Sequence, residues 1–512
     1  MSSPSSNGLT LPRRKFLRMA TVGFGAAALA GSRLRGQPPA GLRVRQNALA
    51  LSPSDPVFQK YAQAVQAMHQ LPPTDRRSWR LQAEIHPNHC AHGTPGFLPW
   101  HRHYINEFEK ICGRLINDPA FALPYWDWTK DGGKIPDAFF DINELNVTFW
   151  NDSGVGDFPA NWGQVDTRGV RALDKGARAQ DDPIRGGNFT VTRINQIKNS
   201  ATYGLLRSQL EGSPHNSGHV VVGLVAMPPF GHMVDGLSPL DPLFWLHHCN
   251  VDRIWAEWQL AGNSTPTFNE NYDGQFVDAD GNPINVTADA SINFESLGFS
   301  YDTINVVGPP IEMLRLTGVQ PETVFSATSA AVPELQTVSS APVAEPLALN
   351  TPVSVPLTPG RLAATLSETQ QVRNAILPTA AVLKSYKGDP QMAVSDYGRP
   401  RTIRKRVYVY VERARRTSRT PPVVNVYLNC PYLTPQTPYT DQHYAGSFAF
   451  FGHGGAHDHQ AGQNFVVDVT DTMERLGLAH RERIAVQLLP VVPEGAGVEG
   501  TVQAQAIRIV SL

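Results

Sequence analysis

The chain has 512 residues, 41% of them hydrophobic, with 44 basic and 45 acidic side chains and a formal net charge of −1. That is enough length and apolar content for two or three domains with sizeable cores, and the near-neutral balance argues against a protein built to grip nucleic acid by neutralising phosphates. Four cysteines, Cys90, Cys112, Cys249 and Cys430, are too few and scattered for a disulfide framework.

Residues 1–36 differ from the rest. LPRRKFLRMATVGFGAAALAG pairs Arg13 with Arg14, then Phe16 and Leu17, then a short run of small apolar residues. This reads as a twin-arginine export signal, since the run is too short to span a bilayer. The expected partner is the twin-arginine export machinery, and the expected location is exported, periplasmic or extracellular.

From 42 to 317 helical periodicity alternates with Gly/Pro/Asn-rich loops. VFQKYAQAVQAMHQL, WHRHYINEFEKICGRLI and FWLHHCNVDRIWAEWQLA each carry an apolar stripe at three-to-four spacing. Pro72-Pro73 and Pro119 stop two of them, and 131–188 reads as a long irregular loop. A mainly helical domain is expected here. Residues 318–400 form a Pro/Ala-rich linker, and 320–365, with few charges, favours an extended, protease-sensitive connector. Over 401–512 six runs, among them KRVYVYVERAR, YAGSFAFF and RIAVQLLPVV, alternate apolar and polar residues at strand spacing and predict a β-sandwich or barrel.

Eleven of the sixteen histidines fall between His69 and His248. His215 and His219 stand four apart, so on a helix both imidazoles share one face and can reach one metal ion. His247 and His248 are adjacent and point about 100° apart, so one of them is expected to join that ion. A second set lies in IHPNHCAHGTPGFLPWHRHY, giving two histidine-rich segments and two expected ions.

These segments resemble the copper signatures of the tyrosinase, catechol oxidase and molluscan haemocyanin family. Asp241-Pro242-x-Phe244, three residues, His248, three more and Asp252 match the second signature. His92-x4-Phe97-x3-His101-Arg102, with Glu109 beyond, matches the first, except that Ile105 stands where the family usually has Leu, Val, Met or Thr. The resemblance implies a four-helix bundle holding two copper ions, followed by a β-sandwich lid. One ion would take His86, His92 and His101, with His89 as the competitor for His86; the other would take His215, His219 and His248. All-imidazole shells suit copper in both oxidation states and leave an open face for dioxygen, whereas a zinc hydrolase more commonly includes a carboxylate.

The resemblance also implies a thioether between Cys90 and His92, a water held by Glu211 and Asn216 as base for a phenolic proton, and Asp252 as an acceptor orienting a ligand imidazole. Met233, Val234 and Asn216 are candidate pocket-wall residues. In YAGSFAFFGHG, Phe450 or Phe451 would plug the site from the lid, with sandwich core as the competing role, and His453, His457 and His459 could assist copper loading. The implied activity is hydroxylation of monophenols and oxidation of o-diphenols to o-quinones by dioxygen. A catechol or o-aminophenol oxidase and a dioxygen carrier are the alternatives. Oligomeric state is left open by the sequence.

Overall fold

The structure is a computed structural model that describes residues 41–150, 167–225 and 230–304, strand residues within 347–403, and 406–511 apart from breaks at 418–419, 421, 452–461, 479–482 and 493–500. The export-signal expectation at 1–36 and the histidines at 453, 457 and 459 lie outside the described residues.

The first domain is helical, as its periodicity predicts. Helix α1 (Pro56–Gln70) begins where the Asp55 carboxylate accepts from the Val57 N–H and Pro56 supplies a preset φ; it ends before Pro72-Pro73. Helix α2 (Trp79–His89) is capped by Ser78, and α3 (Phe97–Leu115) is buried along almost its whole length. Helix α4 (Tyr203–Leu210) runs through a π-helical turn at Glu211–His215, containing Pro214, into α5 (Asn216–Gly223). Helix α6 (Leu243–Leu260) is buried from Leu243 to Trp258. Between α3 and α4 the described chain forms short turns and short helices, the longest being Val191–Lys198. The core gathers six tryptophans at 100, 126, 128, 245, 255 and 258, each at most 1% exposed, and Phe108 stacks on Trp245 between α3 and α6.

Two short parallel strands close this domain: β1 (Arg43–Arg45) pairs with β2 (Phe299–Tyr301). Arg45 then reaches inward, giving 2.9 Å to Glu109 and 3.2 Å to Asp252. Two buried carboxylates on two helices thus share one guanidinium from a third element, and Arg43 on Glu109 (3.0 Å) and Arg102 on Asp252 complete the pairing that burial of charge requires.

The second domain is the expected sandwich. All six sequence runs form strands: β3 (Val407–Arg416), β4 (Val423–Leu428), β5 (Tyr444–Ala449), β6 (Gln463–Asp468) and β7 (Arg483–Val492), the last run splitting into β8 (Thr501–Ala504) and β9 (Ala506–Ser511). One sheet orders β7-β4-β5 and the other β9-β3-β8, with β6 also on β3. Side chains such as Val409, Val426, Phe448, Phe450 and Ile507 fill the space between them. The connector is not wholly unstructured: Leu347–Leu349 pairs with β9, Val353–Pro356 with β8 and Ala375–Pro378 with β7. Those strands are short and poor in charge, and a sheet edge supplies the partners that an isolated stretch lacks.

The domains meet over α5. Val220, Leu224 and Val234 pack with Val423, Tyr427, Ala449 and Leu489, and Leu205 packs with Tyr408, Tyr410 and Val466. Among the described residues no helix is long and apolar enough to cross a membrane.

Candidate metal centre

Six imidazoles converge between α2, α3, α5 and α6. His86 leaves α2 fully buried, while His89, one turn on, is exposed, so His86 is the one brought to the cluster. Its ring centroid lies 5.1 Å from His92 and 5.6 Å from His101, and His92 lies 5.1 Å from His101. In the other set the Nε2 atoms form a triangle: His215 to His219 3.1 Å, His215 to His248 3.3 Å, His219 to His248 3.3 Å. The sets face each other, with His101 stacked on His248 at 4.3 Å.

Backbone acceptors decide which ring nitrogen faces inward. The Nδ1–H groups of His86, His101 and His219 donate to the carbonyls of Gly236 (2.7 Å), Phe97 (2.8 Å) and Met233 (2.7 Å), and that of His215 donates to Asn216 Oδ1 (2.8 Å). With the proton on Nδ1, each Nε2 presents a lone pair. The Nε2 atoms of His86 and His101 are buried without a hydrogen-bond partner, and in the second set the lone pairs of His215 and His219 Nε2 face each other beside His248 Nε2. A cation resolves both: nitrogens at about 2.0 Å from one tetrahedral ion lie about 3.3 Å apart, which matches the triangle. The donor set therefore fits two copper ions. Burial keeps the rings neutral, pushing His86 down to about 4 and His215 to about 3. His101, His219 and His248 fall well below the usual value through burial and then neighbouring imidazoles.

His247, next to His248 in the chain, packs against the second set. Its ring lies 4.7 Å from His219 and 5.3 Å from His215, with Trp128 at 5.1 Å on the other side, so it forms a fourth imidazole around the second set. Gly218 leaves the space: a Cβ there would stand 2.3 Å from His247 Cε1.

Asp252 requires a correction. Its oxygens accept from Arg102, from Arg45 and, at 2.5 Å, from the Tyr301 hydroxyl, rather than from an imidazole. An acid in this position, with arginines on two neighbouring elements, holds α3, α6 and β1 together. Its neighbour Arg253 is buried as well and bonds Glu257 at 2.6 Å.

Glu211 is also buried, and both its oxygens are engaged: Oε1 accepts from the Gly93 N–H at 2.6 Å and Oε2 from Arg207 at 2.7 Å. It thereby tethers the loop carrying Cys90 and His92. Cys90 Sγ lies 3.1 Å from His92 Nδ1, and burial pushes its thiol up to about 12. None of the four cysteines is in a disulfide.

From the second domain, the Phe451 ring lies over the imidazoles, 4.1 Å from His219, 5.1 Å from His92 and 5.8 Å from His215. Phe450 turns the opposite way, 5.2 Å from Phe465 in the sandwich core. Phe97 and Phe244 combine core packing with ring contacts, 4.8 Å to His101 and 4.2 Å to His248. Met233 and Val234 are buried beside α5, Met233 contributing through its carbonyl. Sequence reasoning missed Arg45, Gly218 and the carbonyls of Phe97, Met233 and Gly236. The spacing His215-x2-Gly218-His219 was legible, but backbone acceptors leave no side-chain signal.

Comparison with known proteins agrees with this geometry. The common central domain of tyrosinase matches residues 59–261, and the chloroplastic polyphenol oxidase C-terminal domain matches residues 403–510. The tyrosinase of Streptomyces antibioticus is 33% identical over 197 residues, 34% of this chain and 67% of that protein. The chloroplastic (+)-larreatricin hydroxylase of Larrea tridentata is 25% identical over 513 residues, 92% of this chain and 79% of that protein. The fold is shared with latent apple tyrosinase, at a TM-score of 0.55 and 20% identity, covering 93% of this chain and 98% of that one. These findings overturn one expectation. The larreatricin hydroxylase and other matched oxidases are chloroplastic by name, so a periplasmic or extracellular location does not stand. A twin-arginine pattern with a short apolar run identifies a targeting segment more securely than the compartment it addresses.

Proposed function

The chain belongs to the tyrosinase family, and we infer from this premise that it is a copper-dependent phenol oxidase whose second domain holds it latent. One copper is held by His86, His92 and His101 and the other by His215, His219 and His248. The observation that carries this reading is the set of inward Nε2 lone pairs, fixed by Nδ1 donation to carbonyls and to Asn216. The copper pair supplies the binding and reduction of dioxygen; the protein supplies neutral imidazoles, a dry pocket and the orientation of the phenol.

A substrate ring enters the space that Phe451 occupies, with Phe97 and Phe244 as apolar walls against the imidazoles. The lid, residues 401–512, keeps phenols out until the connector within 318–400 is cut, and the copper domain spans about 42–317. A thioether between Cys90 and His92 fixes that imidazole and removes a thiol that would otherwise bind or reduce copper. It is supported by the 3.1 Å approach. Residues 1–36 form a targeting segment, and a plastid address is the one the relatives' names support.

Glu211 and Asn216 border the second set and would hold the water that takes the phenolic proton. Each Glu211 oxygen already accepts one hydrogen bond within the copper domain, from Arg207 or from the Gly93 N–H, and keeps a second acceptor site for that water. That same pairing favours a second reading, an o-diphenol oxidase without hydroxylation. Dioxygen uptake by copper-loaded, connector-cleaved protein decides between them. Consumption of tyramine without added diphenol, lost in Glu211→Gln more than catechol oxidation is, supports the first; uptake with catechol alone supports the second; uptake with neither overturns both.

A further inference from the structure

The lid touches the metal centre through more than the Phe451 ring. Asn216 is 4% exposed, and its one amide serves two sides: Oδ1 accepts from His215 Nδ1–H at 2.8 Å, and Nδ2 donates to the Ala449 carbonyl of β5 at 2.7 Å. The orientation of that amide is forced. His215 turns its Nε2 to the second set, so its proton sits on Nδ1 and needs an acceptor, while the Ala449 carbonyl needs a donor. Next to it, Asn188 Oδ1 accepts from Ser213 at 2.7 Å and from Ser447 of β5 at 2.8 Å, and its Nδ2 donates to Ser217 at 2.8 Å. The residues flanking His215 on both sides are therefore tied to the lid strand whose end leads into Phe451.

We propose that Asn216 is a latch that couples docking of the C-terminal domain to the position of His215, so that latency has a polar component besides the aromatic plug. When β5 is seated, the Ala449 carbonyl takes the amide N–H and holds Oδ1 on His215, and the Asn216 side chain is withheld from substrate or water. When β5 leaves, Nδ2 is released towards the pocket while Oδ1 keeps its bond to His215. The two halves reinforce each other, because donation from Nδ2 polarises the amide and makes Oδ1 the better acceptor. Asn216 is a positioning residue in this scheme. The inference rests on the reading of the second domain as a lid.

The test uses the full chain with its connector cut by limited proteolysis, in wild type, Asn216→Asp, Asn216→Ala and Phe451→Ala. Two quantities are measured: the urea concentration at which the C-terminal fragment leaves the copper domain in gel filtration, and the ratio of the lid-free to the uncleaved rate on catechol. Each variant is compared with itself, so any change in intrinsic rate divides out. Aspartate keeps an acceptor for His215 but sets a carboxylate oxygen against the Ala449 carbonyl. Asn216→Asp should release the fragment at lower urea and cut the latency ratio roughly tenfold, a lost buried hydrogen bond being worth about that factor. Asn216→Ala removes the donor without adding charge and should move both quantities the same way by less. Wild-type release and ratio in Asn216→Ala overturn the latch, whatever Asn216→Asp does, since charge alone would then explain the aspartate. If the Asn216 variants behave as expected and Phe451→Ala leaves the ratio unchanged, the latch stands and the plug reading falls.

Discussion

Replacing Gly218 by alanine tests the geometry of the second metal set most directly. In an exposed helix the change would stabilise by about 1 kcal/mol, so the sign of the effect is informative. Here the new Cβ would lie 2.3 Å from His247 Cε1 and 2.9 Å from its Nδ1, against an ordinary contact of about 3.5–4.0 Å. The His247 ring cannot swing aside: Trp128 is 5.1 Å away, Trp126 6.0 Å, and His215 stacks on it at 5.3 Å. Helix α5 must therefore move off α6 by about 1 Å, an overpacking that costs about 1–3 kcal/mol and outweighs the helix term. Metal–ligand distances tolerate about 0.2 Å, so His215 and His219 no longer share an ion with His248. Elemental analysis of Gly218→Ala should find about one copper per chain, with the first set retained, and urea unfolding should have its midpoint lowered. Truncating the obstacle in the Gly218→Ala/His247→Ala double variant should restore the second copper. Two coppers and a wild-type midpoint in the single variant would refute the reasoning, as would failure of the double variant to recover.

The two adjacent phenylalanines should separate cleanly: Phe451→Ala should raise the rate of uncleaved protein on phenols, while Phe450→Ala, which empties a buried site beside Phe465, should destabilise the lid by about 3–5 kcal/mol. Equal effects of both on rate and stability would contradict their opposite orientations. The metal-free protein should lose stability as pH falls. His86 sits at about 4 and His215 at about 3 when folded, against about 6.5 unfolded, so between those values the unfolded chain binds more protons. The stabilisation is full above pH 6.5 and lost as the pH drops towards 4, and a urea midpoint as high at pH 5 as at pH 7.5 would rule it out. Copper-matured protein should resist alkylation at Cys90 after denaturation and reduction, because a thioether leaves no thiolate to react; quantitative labelling there means the sulfur is free.

How much of this was legible in the chain depends on the range of the interaction involved. The three long helices declared themselves through three-to-four spacing, and observed α1, α3 and α6 fall within a few residues of it. The six alternating runs declared the sandwich, since strand alternation is also a local pattern. Spacing likewise brought His215 and His219 together, and signature residues separated His248 from His247 and selected His92 and His101. The resemblance favoured His86 over His89, but the physical reason is tertiary, because it depends on which side of α2 faces Gly236, 150 residues away. Phe451 rather than Phe450 over the imidazoles, Asp252 bound to arginines rather than to an imidazole, and Asn216 shared between His215 and Ala449 are of the same kind. Each is decided by a partner from another element, and strand or helix periodicity fixes which face a side chain leaves from but not what that face meets.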